Sequence, residues 1–261
     1  MNSILTIAGL RSALGGFTGD VDTGRFTDIS INTLRNVDVS KFVIPPNSEY
    51  KLVNIGLGIE GYLSQRDNAS LGINPNNKTH MIDLKHGIPL VLRKKGDDLD
   101  KGQRLLYRLR AIENINGIEY IAYYNLSYKQ EINTSPISID IVSTENGNTS
   151  VSVYNALDAQ KSDAVKAGST HVRMQKKITL SLGTFQVNEI INALDILYPS
   201  EHIRTISEVG AYSGYDITHD DNSETLETTL SARYVTKLKL VKNSPSNLVF
   251  NISVLAPYHY G

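Results

Sequence analysis

The chain contains no cysteine and no tryptophan among its 261 residues. The absence of cysteine excludes disulfide bonds, thiolate zinc sites and cysteine nucleophiles. The formal net charge is −1, so no overall electric field favours nucleic acid or an anionic membrane as a partner. Hydrophobic residues make up 40% of the chain and charged residues 20%, which is typical of a folded globular protein.

Long apolar runs are also missing. The N-terminal apolar segment is interrupted at Arg11 and no basic residue precedes it, whereas a secretory signal has a basic start and an unbroken apolar stretch. No segment approaches the roughly 20 apolar residues that a membrane-spanning helix needs. We therefore expect neither a signal peptide nor a membrane span.

The common catalytic motifs are absent as well. Glycine-rich segments lack the Gly-Lys-Ser/Thr ending of a phosphate loop, and no Gly-x-Ser-x-Gly elbow occurs. The six histidines are scattered, without the close His pairs that usually begin a metal site. These absences predict a protein that is not an enzyme and holds no cofactor.

One acidic cluster offers oxygen ligands for a hard cation such as calcium. Its members are Asp216, Asp220, Asp221 and Glu224. Their spacing lacks the alternation and the glycine of an EF-hand loop. The competing interpretation is the solvated tip of a hairpin between strands near 205–212 and 226–242.

The clearest local pattern is a β-hairpin over residues 104–128, turning at Asn116-Gly117. An Asn-Gly pair between two apolar-aromatic runs is the strongest short hairpin signal. A two-residue loop makes both strand faces match. The resulting register pairs Ile115 with Ile118, Ala111 with Ala122, Leu109 with Tyr124, Tyr107 with Leu126, Leu105 with Tyr128, Arg110 with Tyr123, and Ile112 with Ile121.

Further strands follow from period-two alternation of apolar residues. We expect residues 230–240 and 248–254 to pair with each other through a turn at 243–247. Strands on either side of Asn146-Gly147 have apolar faces that match poorly, so we expect a longer loop or a bulge there. Other candidate strands are 37–44, 50–58, 79–84, 88–93, 171–182 and 203–209.

Helix is scarce. Residues 185–199 place Val187, Ile190, Ile191, Leu194 and Leu197 on one stripe, and Pro199 ends the helix. A weaker helix is predicted over 156–168. The fold class is therefore mainly β, as an antiparallel sandwich or barrel-like sheets with one or two short helices and an extended N-terminal arm. We expect an arm over 1–25 and one domain over 26–261, with sub-domains that could meet near 156–170.

The N-terminal arm is rich in glycine, which makes its ordering costly. Its large apolar side chains recover part of that cost only if they are buried. We therefore predict that neighbouring subunits order the arm, by strand addition or in a groove; a loop lying on its own domain is the alternative. The predicted interface residues are Ile4, Leu5, Ile7, Leu10, Leu14 and Phe17.

Two segments resemble structural proteins of tailed-phage virions. The first is TISEVGAYSG at 205–214, followed by the acidic loop and the strand LSARYVTKLKL; the second is the YRLRAIENINGIEYIAYYNL hairpin. The resemblance implies a virion protein that is made in the host cytoplasm and contacts copies of itself and other virion proteins.

The low helix content argues against the major capsid fold, so we expect a head auxiliary or decoration protein. A neck or tail subunit is the first alternative. A carbohydrate-binding module or adhesin is the second, and it would need an exposed aromatic platform from Tyr123, Tyr124 and Tyr128.

Overall fold

The structure is a computed structural model that describes residues 4–5, 51–61, 83–127, 132–134, 136–145, 148–153, 169–218 and 224–257. In these ranges the chain is mainly β, with antiparallel sheets and two helices, as predicted. The strands are β1 (Ile4–Leu5), β2 (Lys51–Gly58), β3 (Gly87–Ile88), β4 (Val91–Lys94), β5 (Tyr107–Ile115), β6 (Ile118–Ser127), β7 (Ile132–Thr134), β8 (Ser138–Glu145), β9 (Asn148–Val153), β10 (Ser169–Leu182), β11 (Thr205–Thr218), β12 (Glu224–Lys239) and β13 (Ser246–Pro257). The helices are α1 (Lys101–Arg104) and α2 (Thr184–Leu197).

Two sheets contain all the described strands. The large sheet has eight strands, curves like half a barrel, and runs in the order β1, β12, β11, β2, β6 and β4. In addition, β3 pairs with the end of β2, and β5 pairs with β6. The small sheet has five strands in the order β13, β10, β8 and β9, with β7 also paired to β10.

The predicted hairpin over 104–128 is confirmed as β5 and β6. Its register pairs Ile115 with Ile118 and Tyr107 with Leu126. Asn116 and Gly117 have φ angles of 52° and 81°, the left-handed values that a tight hairpin turn requires.

Two of the predicted residue pairs, Leu109 with Tyr124 and Leu105 with Tyr128, are not among the paired residues of the hairpin. Leu109 has a φ of 54°, and the strand pairing continues on both sides of it, from Arg108 opposite Asn125 to Arg110 opposite Tyr123. Leu105 lies in a turn before β5, and Tyr128 lies outside the described residues.

The predicted C-terminal hairpin is wrong in its pairing. Both strands exist, but β12 pairs with β11 from Thr205–Lys239 to Thr218–Glu224. Strand β13 pairs with β10 in the other sheet. Alternation of apolar residues shows that a segment is a strand with one buried face, but it does not select the neighbouring strand.

The expected loop or bulge at Asn146-Gly147 is also wrong. Glu145 pairs with Asn148, which is the register of a two-residue connection. The apolar faces need not match because β9 is an exposed strand, with residues 148–152 all exposed. The mismatch therefore costs little burial.

The helix before Pro199 is confirmed as α2, which ends at Leu197. Its buried side includes Val187, Ile190, Ile191 and Leu194, and Leu197 is half-buried. These residues share one core with the large sheet and with Ile178, Leu180, Leu248 and Phe250 of the small sheet. Arg93 of β4 also binds Glu189 of α2 at 2.6 Å.

Other strand predictions are confirmed at 50–58, 171–182 and 203–209, as β2, β10 and the start of β11. The candidate at 88–93 is split between β3 and β4. Residues 83 and 84 of the candidate at 79–84 are not in a strand. The rest of that candidate, the strand at 37–44 and the helix at 156–168 lie outside the described residues, as does most of the expected sub-domain junction.

Candidate functional site

The segment Ile206–Gly210 of β11, which is part of the first segment that resembles virion proteins, is buried throughout. Ile206 and Val209 lie in the core shared with α2. Ser207 and Glu208 are on the polar side, where the Ser207 hydroxyl accepts a hydrogen bond from the Gly61 N–H at 2.9 Å. The motif is therefore part of the framework of the protein.

Glu208 forms a buried ion pair with Arg233 of β12. The residues are 0% and 2% exposed. Arg233 donates from Nε to Oε2 at 2.8 Å, and its Nη2 lies 2.7 Å from the same oxygen. The backbone N–H of His86 donates to Oε1 at 2.8 Å and that of Lys85 to Oε2 at 3.2 Å. The carboxylate thus joins β11 to β12 and to the turn at residues 85–86.

Glycines make room for this pair. A Cβ on Gly58 would lie 2.6 Å from Cγ of Glu208, and a Cβ on Gly61 would overlap the backbone carbonyl of Ser207. Both contacts would be far shorter than the roughly 3.5–4.0 Å between carbon atoms in ordinary contact. The chain therefore needs glycine at both positions to bring β2 against β11.

A more exposed polar cluster lies at the end of α2. The Tyr198 hydroxyl and Nε2 of His86 form a hydrogen bond. Glu60 binds Nζ of Lys85 at 2.7 Å and lies 3.7 Å from Nδ1 of His86. Burial, with smaller contributions from Glu201 and Glu60, raises the pKa of the Tyr198 hydroxyl.

A nucleophilic or proton-accepting tyrosine needs a lowered pKa, so the shift on Tyr198 is in the unfavourable direction. The order of carboxylate, imidazole and hydroxyl superficially resembles a catalytic triad. The hydrogen bond between Tyr198 and His86 instead connects the end of α2 to the loop at residues 83–86.

A narrow crevice lies where β2, β6 and β11 approach residues 83–88. Its lining includes Asp83, Tyr124, Asn125 and Tyr212. Tyr212 donates its hydroxyl proton to Oδ1 of Asp83 at 2.6 Å. The side-chain amide of Asn125 donates to the Asn54 oxygen at 2.6 Å. These hydrogen bonds join polar side chains of the lining to one another.

Asp98 is the centre of a third polar cluster. It accepts the Tyr123 hydroxyl at 2.8 Å, and it lies 2.8 Å from Arg104 and 3.0 Å from Arg110. Burial acts to raise the pKa of Asp98, but hydrogen bonds from Tyr123, Arg110 and the Leu99 N–H outweigh it and hold the pKa below its usual value. Burial and the bond to Asp98 raise the pKa of Tyr123 to about 12.

The expected sugar-binding platform does not form from the described tyrosines. Tyr123 is 1% exposed and Tyr124 is 8% exposed. Tyr124 also donates its hydroxyl proton to Glu113 at 2.8 Å. Tyr128 lies outside the described residues.

The two described members of the acidic cluster, Asp216 and Glu224, lie near the end of the hairpin formed by β11 and β12. The backbone of Asp216 pairs with Leu226, and that of Thr218 pairs with Glu224. Asp220 and Asp221 lie outside the described residues, so a cation site there stays a prediction. In the described ranges, no three His, Asp or Glu side chains are grouped so as to hold a metal ion.

Two of the six predicted interface residues of the N-terminal arm are described. Ile4 pairs with Arg233 and Leu5 with Ala232, both in β12 of the same chain. These two residues add a strand to their own large sheet. Ile7, Leu10, Leu14 and Phe17 lie outside the described residues, so their role in a subunit interface stays a prediction.

One face of the small sheet continues beyond the shared core. Side chains two residues apart share a face of a strand, so Met174 lies on the same face as the buried Ile178 and Leu180. Its partner across the sheet is Ile139. Met174 and Ile139 are 43% and 38% exposed, and nearby Ile137 is 63% exposed. We call these three residues the outer apolar face.

The sequence motif at 206–210 is therefore found in the structure, but the sequence did not reveal its partners. Nothing in the local pattern around Arg233 distinguishes it from the exposed lysines of β12. A positively charged residue on the polar side of a strand, with an isolated glutamate on the strand before it, would have been the available signal.

In the described part of the chain, no helix has the length and apolar character to cross a membrane. Searches against curated protein sequences and against solved structures give no match. A family model does match, and it covers residues 30–230. The chain therefore belongs to that family, which is described as a family of unknown function (DUF7208).

Proposed function

We propose that the protein is a non-enzymatic structural component of a tailed-phage virion, of the capsid-associated auxiliary or decoration type. The observation that carries the proposal is the outer apolar face, Ile137, Ile139 and Met174. Large apolar side chains clustered on an exposed sheet mark a surface that another protein covers. Scattered single exposures would carry no such meaning.

The buried motif at 206–210 supports the choice of a virion protein. Within the first resembling segment, Ile206 and Val209 belong to the core, and Glu208 forms the pair with Arg233. A resemblance between framework residues concerns the architecture of the protein. It is therefore relevant to a structural role, since assembly depends on the shape of the fold rather than on a reactive site.

The polar clusters support a non-enzymatic role. A general base needs a carboxylate that can accept a proton near neutral pH. Hydrogen bonds from Tyr123 and Arg110 stabilise the charged form of Asp98 and lower its pKa. Both carboxylate oxygens of Glu208 are already occupied, by Arg233 and by the backbone N–H groups of residues 85 and 86. Both are therefore better suited to joining strands than to proton transfer.

A neck or tail subunit is the second candidate, and the length of the small sheet favours it. Strands β10 and β13 have 14 and 12 residues, about twice the usual strand length. Long strands that extend beyond a core are suited to contacts between neighbouring subunits. The outer apolar face serves either candidate equally.

Quantitative mass spectrometry of purified phage particles tests the proposal. Separated heads and tails should be measured in parallel, with the major capsid protein as the internal standard. A head auxiliary protein is expected in many copies in the head fraction, whereas a neck or tail subunit is expected in few copies or in the tail fraction. Absence from both fractions, with the protein present in the infected-cell lysate, would contradict a virion role.

A further inference from the structure

We propose that β9 is an assembly edge that pairs with β9 of a second copy of the chain, joining two small sheets into one. The inference rests on the proposed function, because a protein that assembles on a virion needs a contact between its own copies. It identifies a surface separate from the outer apolar face.

Strand β9 lacks the usual protection of a sheet edge. It reads NTSVSV, without charge or proline, and residues 148–152 are exposed. Within the described ranges, β8 is its only strand partner. Natural edge strands generally carry lysine, proline or a bulge that prevents pairing with another chain. Over the residues that the structure describes, the outer edge of β9 is open along its six residues.

The register of the hairpin decides which backbone groups point outward. Glu145 pairs with Asn148 next to the connection. In a hairpin with a two-residue loop that closing pair exchanges hydrogen bonds, and hydrogen-bonded pairs then alternate with non-bonded ones. Thr149, Val151 and Val153 therefore direct their N–H and C=O groups toward the open edge.

A second copy of β9 complements this pattern. Antiparallel pairing about a two-fold axis at Val151 sets Val151 opposite itself and Thr149 opposite Val153. Every outward-facing N–H and C=O group then meets an outward-facing group of the other copy. The residues brought together are uncharged. A contact in which the same patch meets itself closes as a two-fold dimer.

Charge substitution tests the edge. Val151→Lys would place two like charges opposite each other, which destabilises a cross-strand pair. Val241→Lys is the matched control, because Val241 is 52% exposed, Val151 is 53% exposed, and residue 241 is not in a strand. Sedimentation velocity over a concentration series should show a dimer for the native chain and the control, with a dissociation constant raised about tenfold or more for Val151→Lys.

Val151→Pro is a second variant. It removes the outward N–H while leaving the inward bonds to β8, which is where proline is tolerated in an edge strand. It should therefore abolish the dimer and leave the circular dichroism spectrum and the melting temperature close to native values. Unfolding of this variant alone leaves Val151→Lys as the deciding measurement.

The lack of cysteine allows a direct test of proximity. Two single-cysteine variants, Val151→Cys and Val241→Cys, would be treated with a short bismaleimide. Covalent dimers should form rapidly for Val151→Cys and only at the collision rate for Val241→Cys. The proposal would be overturned by a monomeric native protein. It would also be overturned by an oligomer whose assembly neither Val151→Lys nor Val151→Pro changes and in which the Val151→Cys chain does not cross-link.

The same experiments separate this inference from the virion role. A protein that is monomeric in solution and abundant in particles would refute the β9 dimer and leave the proposed function standing. A chain that forms the β9 dimer in solution but is absent from particles would support the dimer and refute the proposed function. Pairing of β9 with a different virion protein would appear as a cross-link from the Val151→Cys chain to that protein and would also overturn the self-pairing.

Discussion

Gly56 and Gly210 are direct partners across β2 and β11, and the Tyr212 ring packs against both. A Cβ on Gly56 would lie 3.0 Å from Cε2 of Tyr212, and a Cβ on Gly210 would lie 2.8 Å from the same atom. The paired glycines therefore leave a flat surface on which the aromatic ring packs. This packing compensates for the side-chain contacts that glycine cannot make in a sheet. The ring in turn carries its hydroxyl to Asp83.

Gly210→Ala should destabilise the protein because the new methyl group overlaps Tyr212 and Leu230. Overpacking of this kind costs about 1–3 kcal/mol. Gly102→Ala is the control, since its Cβ would meet only Oδ1 of Asp100 at 3.4 Å and alanine favours a helix by about 0.5–1 kcal/mol. Urea unfolding followed by circular dichroism measures both changes. Equal stability of Gly210→Ala and the native chain would refute the close packing.

Glu208→Gln should lower the free energy of unfolding by about 3–5 kcal/mol, because it leaves the Arg233 charge buried without a counterion. Glu119→Gln breaks the exposed pair with Lys95 and should cost less than about 1 kcal/mol. Chemical denaturation compares the two. The double variant Glu208→Gln with Arg233→Met should recover part of the loss, and a purely additive result would contradict the ion pair.

The stability of the protein should depend on Asp98 at low pH. Because the folded-state pKa of Asp98 lies below its ordinary value of 3.8, its contribution to stability is present above that value. The contribution is lost as the pH falls from about 3.8 through the lower folded-state pKa. The difference in unfolding free energy between the native chain and Asp98→Asn should be constant above about pH 5 and shrink below about pH 4. A difference that does not change with pH would contradict the lowered pKa.

Tyr123 should make the stability depend on high pH as well. Its folded-state pKa of about 12 lies above the ordinary value of 10.0, so its contribution is present below about pH 10 and is lost as the pH rises toward about 12. Tyr123→Phe should therefore unfold less steeply than the native chain between about pH 10 and 12. Absorbance at the tyrosinate band, followed together with circular dichroism, measures this difference. Identical alkaline transitions for both chains would refute the raised pKa of Tyr123.

Met174→Lys tests the outer apolar face in the particle. Met174 is 43% exposed, and surface substitutions usually change stability within about 0.5 kcal/mol. The variant should therefore fold normally and be incorporated poorly. Val249→Lys is the control, because Val249 is 47% exposed and lies on the opposite face of the small sheet. Mass spectrometry of particles grown with each variant gives the number of copies of the variant relative to the major capsid protein. Equal incorporation of the two variants would count against this face as the binding surface.

Local sequence was sufficient for the elements whose partners are close along the chain. The β5–β6 hairpin follows from Asn116-Gly117, since the left-handed turn and the matching faces are both encoded in the short segment 104–128. Helix α2 follows in the same way from one apolar stripe and the proline after it. In both cases a short-range pattern determines the hydrogen-bond partners, so the prediction and the structure agree.

Only the tertiary structure decided which distant strands meet. The alternation in β12 and β13 shows which face of each strand is buried, but both candidate partners offer apolar faces, so the sequence could not separate β11 and β10 from a C-terminal hairpin. The Glu208–Arg233 pair depends on that choice. The room that Gly56 and Gly210 leave for Tyr212 depends on another long-range pairing, that of β2 with β11. The alternation of apolar residues indicates which face of a strand is exposed to solvent. The neighbouring strand is selected by the packing of the whole sheet.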